Sequence, residues 1–219
     1  MDNKFKSLIG ALLISFVGTA AASTINVDFG PTNQASFSGT GASSDTGTTW
    51  NSLTSSGGTN LLNSLGLVTT IGVSTTASQE YSDSGTNELL MDRTFVSGTW
   101  DTFDVVLSGL NDLSIYNLYV YGSNTSYASL YTVGAESGFA LGSIIAPPYS
   151  EDDHYTLLNL LNSTGGSMTL NVARYNSSDA AVISGFQLEE ISAVSEPSVI
   201  ALFGLGLVGL GFVRRRHQV

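Results

Sequence analysis

The residues best able to do chemistry are two acidic triplets, Asp45-Thr46-Gly47 and Asp83-Ser84-Gly85. Paired carboxylates that share a proton can drive acid–base attack on a peptide bond. Such triplets would have to follow apolar strands, but these follow Ser43-Ser44 and Tyr81-Ser82. Asp and Gly are what tight turns favour, so both triplets read as turns. His154 is the one histidine between the chain ends, and there is no cysteine. That composition excludes disulfides, thiolate zinc sites, iron–sulfur clusters and cysteine nucleophiles. A Ser-His-Asp relay would have to run through His154, which follows Pro147-Pro148 and Glu151-Asp152-Asp153. No Gly-x-Ser-x-Gly elbow accompanies it, so the segment reads as a solvated polar loop and the body as non-enzymatic.

Oxygen chemistry offers more. Calcium takes six to eight oxygen ligands, and Asp28 with Glu151, Asp152 and Asp153 are candidate ligands for a structural ion. The plainer reading is carboxylates facing water. Trp50, Trp100, Tyr149 and Tyr155 fall in or beside expected loops. There their rings could stack on sugar faces, with core packing as the alternative. Gly204-x-Gly206-x-x-Gly209 spells a dinucleotide fingerprint, but the chain ends ten residues later with no acidic partner, so it is a chance match.

Positioning such residues is the work of a body rich in Ser, Thr, Asn and Gly. Between Ser23 and Ser195 sixteen acidic side chains face two basic ones, Arg93 and Arg174, a net of −14. Phosphate backbones would repel it, which excludes nucleic acid as a partner. Short β-type runs recur between turn clusters. They are Ile25–Phe29, Ile71–Val73, Phe103–Leu107, Tyr116–Tyr121, Leu130–Val133, Met168–Val172 and Val182–Ile191, with Tyr116–Tyr121 expected to be central. Leu61–Leu65 and Tyr155–Leu161 are the segments allowed a helical turn. Eight or so strands over this length predict an all-β fold, an antiparallel β-sandwich of jelly-roll type.

The two ends carry addresses. Lys4 and Lys6, the apolar run Leu8–Val17 and Ala20-Ala21-Ala22 form a secretory signal over residues 1–23, expected to be helical and cut near Ala22 or Ser23. The body then spans 24–194 and a tail 195–219. In the tail Ser195-Glu196-Pro197-Ser198 precedes fifteen uncharged, largely apolar residues, 199–213, and then the basic stop Arg214-Arg215-Arg216-His217. Ten Val, Ile, Leu or Phe residues favour insertion by about 3–6 kcal/mol before the glycines subtract. A helix of that length covers about 22 Å of a hydrocarbon core near 30 Å, a thin transmembrane anchor. Arginines directly after it place the C-terminus in the cytoplasm and the body outside.

This order of parts resembles the PEP-CTERM sorting signal of Gram-negative bacteria. Glu196-Pro197 matches the end of its Pro-Glu-Pro motif, Leu202–Gly211 its Leu/Gly helix and Arg214–Arg216 its basic cluster, while Ser195 stands where proline is usual. The resemblance implies exosortase as processing partner and transient anchoring in the inner membrane with the body in the periplasm. Cleavage near Glu196 and a mature form at the cell surface or outside the cell would follow. A plain single-pass anchor is the alternative. Ile25-Asn26-Val27-Asp28-Phe29-Gly30, Gly39-x-Gly41, Asp45-Thr46-Gly47-x-x-Trp50-Asn51, Leu118–Gly122 and Ser184–Leu188 are similar to ectodomains joined to such tails, galactose-binding-like jelly rolls. These resemblances imply a structural or adhesive protein associated with exopolysaccharide or biofilm. A carbohydrate-binding module is the alternative, and a secreted hydrolase comes third.

Overall fold

Thirteen strands run through the described residues of the computed structural model, in chain order. They are β1 (Thr24–Phe29), β2 (Asn51–Leu53), β3 (Gly72–Thr75), β4 (Gln79–Ser82), β5 (Asp92–Ser97), β6 (Thr102–Ser108), β7 (Ile115–Tyr121), β8 (Ser129–Val133), β9 (Glu136–Ala140), β10 (Tyr155–Asn162), β11 (Ser167–Arg174), β12 (Ala180–Ile183) and β13 (Gly185–Ile191). The structure describes residues 24–31, 37–82, 89, 92–97, 102–123, 127–141, 148–176, 178 and 180–191. All of these belong to one of the chain's two compact units, Ala22–Ile191. The signal segment, the tail from Ser192 onward, Trp100 and Asp83-Ser84-Gly85 lie outside them.

The strands form two five-stranded sheets, β10-β7-β13-β1-β2 and β3-β6-β11-β8-β9, and a small sheet β12-β5-β4. Every pairing is antiparallel except β1 with β2. Alternation explains the core. Phe103, Val105 and Leu107 of β6 and Met168, Leu170 and Val172 of β11 point one way. They share an apolar core with Val27 and Phe29 of β1, Leu118 and Val120 of β7 and Phe186 and Leu188 of β13. One apolar layer between two sheets makes the body sandwich-like.

Register defines two poles. Thr24 pairs with Glu189, and Ile191 with Ile115, which also faces Asn162. Around this Ile191 pole lie residues 61–71, bound through Ser64 N–H to the Thr24 carbonyl, and the turn 109–114, bound through Leu110 N–H to Gly166. The opposite pole gathers Asp28, Gly185, Tyr121 and Tyr155 in one row across the sheet.

Three expectations are corrected. Tyr155–Leu161 is not helical; it lies in β10, paired along β7 with an irregularity between Leu158 and Leu161, where Leu160 takes a φ of 52°. That bulge disturbs the period of two from which a strand is recognised. Val182–Ile191 is not one strand but two in different sheets, broken at Ser184. Ser184 N–H donates to the Tyr121 carbonyl and its own carbonyl accepts from Phe29 N–H. The strand count is also larger than eight, because β2, β4, β5 and β9 are short or polar.

Candidate functional site

On β1 the polar residues that alternate with Ile25, Val27 and Phe29 are buried as well: Thr24, Asn26 and Asp28 are at most 2% exposed. They face outward from the first sheet, where residues 37–50 lie over them as a strap. Polar groups taken from water must find partners, and the amide and phenol groups here do, while Thr24 Oγ1 and Ser43 Oγ meet none. Gln187, fully buried on β13, donates through Nε2 to Asn26 Oδ1 at 2.9 Å. Its Oε1 accepts from the Tyr121 hydroxyl at 2.6 Å and from Ser43 N–H at 3.0 Å. The Tyr121 oxygen in turn accepts from Ala42 N–H. Asp28 Oδ2 accepts from Phe37 N–H, and Asn26 Nδ2 reaches the Thr49 carbonyl. Asn51 donates to the carbonyls of Asn26 and Leu62, which pins the parallel strand β2.

The strap must come very close. A Cβ built on Gly41 would lie 2.0 Å from Gln187 Oε1 and 2.6 Å from the Tyr121 hydroxyl, so only glycine fits. Trp50 closes the same layer. It is 7% exposed, donates from Nε1 to the Gly39 carbonyl at 2.9 Å, and meets Phe37 and Tyr121 edge-on. Its faces are therefore packed. Tyr149 and Tyr155 also meet Tyr121, with ring centroids 5.5 and 6.0 Å away, and Tyr155 meets Tyr119 at 5.9 Å. Three of the four aromatics singled out from the sequence thus converge on one tyrosine; the fourth, Trp100, lies outside the described residues. Tyr149, Tyr155 and Tyr119 are half-buried and keep part of their rings at the surface. Burial pushes the Tyr121 phenol far above its usual range. It also raises Tyr119, aided by the Glu189 charge, and Tyr155, aided by Glu151. Sequence reasoning missed Tyr119, Tyr121 and Gln187; the one signal was their place in the central run Tyr116–Tyr121 and the closing Ser184–Leu188 segment.

His154 is not in a solvated loop; it is 4% exposed and packs edge-on against Tyr149. Ser150 N–H donates to its Nδ1 at 3.0 Å, which leaves the ring proton on Nε2. Ser150 Oγ lies 2.9 Å and Asp153 Oδ2 3.7 Å from that same Nδ1, while Nε2 meets no hydrogen-bond partner. A nucleophilic relay needs serine and carboxylate on opposite ring nitrogens, so these contacts do not form one. Asp45 Oδ1 accepts from Gly47 N–H at 2.8 Å, the expected turn. Burial alone would raise its carboxyl, but hydrogen bonds from Ser64 and Gly47 outweigh it and hold the group below its ordinary value. Asp28 sits under the strap, whereas Glu151, Asp152 and Asp153 occupy the bend before β10. Among the described residues no three acidic or histidine side chains gather as metal ligands.

A separate cleft of about 530 Å³ opens at the Ile191 pole between the β8–β9 turn, the end of β10 and the start of β11. Glu136, Leu160, Asn162 and Thr164 line it.

The most informative comparison concerns the tail. Residues 193–216 match the PEP-CTERM protein-sorting motif. The match takes in Ser195, Glu196, Pro197 and the stop Arg214-Arg215-Arg216, all outside the described residues. A PEP-CTERM tail implies an exported, membrane-anchored precursor that exosortase processes. No curated protein matches the chain.

Proposed function

We propose that this chain is an exosortase substrate whose acidic β body is delivered to the cell surface or the extracellular matrix, where it acts as a structural or adhesive component associated with exopolysaccharide. The sorting motif at 193–216 carries the reading. In it the short apolar stretch holds the precursor in the inner membrane with the body in the periplasm, and cleavage beside Glu196 releases it. The body works without catalysis and is a jelly roll of the galactose-binding-like kind; two five-stranded sheets around one core support that assignment. A net of −14 between Ser23 and Ser195 suits a hydrated matrix component that stays soluble among its own copies. Mass spectrometry of the exported protein is the test. A C-terminus near Ser195 or Glu196 supports processing, and surface-located protein that still ends at Val219 overturns it.

A second reading, carbohydrate binding, is favoured by the convergence of Tyr149 and Tyr155 with Tyr119 at one sheet surface. In this reading the half-buried tyrosines stack on sugar rings and Trp50 stiffens the floor beneath them. Retarded migration in polysaccharide affinity gels, lost in Tyr155→Ala, supports it; no retardation across a broad glycan panel retires it. A structural calcium ion at Asp28 or at the acids of 151–153 is a further proposal, tested by whether a chelator lowers the melting temperature.

A further inference from the structure

We infer that the Ile191 pole is a lipid-contacting surface, on which the anchored precursor rests against the zwitterionic face of the bilayer. The inference builds on the anchoring reading above. Seven large apolar side chains are exposed among the described residues, and five of them share this pole. Leu65, Leu67 and Val68, exposed by 70, 61 and 72%, come from the segment bound to Thr24. Leu113, exposed by 88%, caps the turn before β7, and Leu160, exposed by 67%, rides the bulge near the end of β10. Three separate segments thus bring bare aliphatic groups to one end of the molecule. Isolated exposed leucines need no explanation, but five large aliphatic side chains bared at one pole are more than scatter.

The 65–68 tip is held ready. Asn63 Oδ1 accepts from the N–H groups of Leu65 and Leu67 at 3.1 and 2.9 Å, and Asn63 N–H donates to the Leu67 carbonyl. Gly66 makes the turn at a φ of 81°. A tip already fixed loses little entropy on docking. The chain around it is also free of charge: residues 46–79 contain no Asp, Glu, Lys, Arg or His.

Chain connectivity supplies the occupant. β13 ends at Ile191, and the apolar stretch begins at Val199, with seven residues between them. The eight Cα–Cα steps from Ile191 to Val199 reach at most about 29 Å even when fully extended. A precursor anchored through 199–213 therefore holds the end of β13 within that distance of lipid. Electrostatics also restricts the choice. Asp112 stands beside Leu113, Glu136 lines the cleft, and Glu189 and Glu190 lie near the end of β13, while both basic residues of the body, Arg93 and Arg174, are at the other pole. Anionic lipid is repelled, so apolar burial in a zwitterionic interface is the attraction that remains.

The absence of native cysteine makes the test direct. Full-length chains carrying Leu67→Cys, Leu113→Cys or, at the far pole, Asn176→Cys take a single environment-sensitive fluorophore and are reconstituted through their own tails into phosphatidylcholine vesicles. The expected result is blue-shifted emission at 67 and 113, with several-fold stronger quenching by nitroxide on the lipid chains than at 176. Anionic lipid should reduce that contrast. Leu65→Ser combined with Val68→Ser should return the label at 113 toward its aqueous emission while the melting temperature holds. Floating chains whose three labels behave alike overturn the lipid surface alone. A shift that vanishes at one chain per vesicle assigns the pole to a second copy, and one that appears only when exosortase is included assigns it to the enzyme; either overturns it. Chains that do not float with the vesicles overturn the anchoring reading, and this surface falls with it.

Discussion

The inner and outer faces of β1 are equally dry but are kept so by different physics. Inward, Ile25, Val27 and Phe29 meet Phe186 and Leu188 in a largely apolar layer. Outward, Thr24, Asn26 and Asp28 lie beside Gln187 under the 37–50 strap. The inner face gains its stability from transfer out of water and from close packing. The outer face gains little from transfer, and its stability depends on how completely Gln187, Tyr121 and Asn26 are satisfied. One strand therefore tolerates errors of shape on one side and errors of hydrogen bonding on the other very differently.

Substitutions can break this contrast in order of size. Phe186→Ala, which opens a cavity beside Phe29 with its ring 6.1 Å away, should cost about 3–5 kcal/mol in chemical denaturation. Gln187→Ala leaves the Tyr121 hydroxyl, Ser43 N–H and Asn26 Oδ1 without their partner. A loss of about 2–3 kcal/mol is expected, together with a red shift of Trp50 emission as the strap loosens. A loss as small as that of a surface substitution would mean that the network contributes nothing.

Tyr121→Phe should cost about 1 kcal/mol at neutral pH and change the alkaline limb of stability. Burial raises the phenols of Tyr116, Tyr119, Tyr121, Tyr131 and Tyr155 above their ordinary value of 10.0. Unfolded phenols ionise near that value while the folded ones keep their protons. The stabilisation is thus complete below it and is lost as pH climbs past it. Denaturation midpoints measured against pH should fall less steeply above pH 10 in the variant than in the parent. The smallest effect is at Asp45, whose carboxyl is depressed below 3.8. Its contribution is present above that pH and fades as pH drops through the lowered value, so Asp45→Asn should flatten the acid limb by under about 1 kcal/mol.

The same contrast explains what could be read from the chain alone. Alternation at Ile25–Phe29 and Phe103–Leu107 reports directly which side chains enter the core, because a strand's period is local. Burial of Asn26 and Gln187 is not local. They become neighbours only when β1 and β13 pair, 161 positions apart, and they are dry only because the strap crosses them. Asn and Gln in such places look like solvent-facing residues until that cover is known. His154 misleads in the same way, since its burial comes from Ser150 and Tyr149 folding around it. Trp50, Tyr149 and Tyr155 could be picked out by type, but Tyr121, which joins them, looked like ordinary strand material. The sorting tail was legible because its parts act by order and polarity along the chain and need no tertiary partner.

The placement of β13 has a mechanical consequence. It lies between β7 and β1, hydrogen-bonded to β7 along its whole length and to β1 from Gly185 to Glu189, and it is the strand that hands the chain on to the tail. A pull directed along the strand axis beyond Ile191 would shear both ladders together instead of unzipping them rung by rung. Such a load would be shared across the middle of the sheet rather than borne by an edge strand.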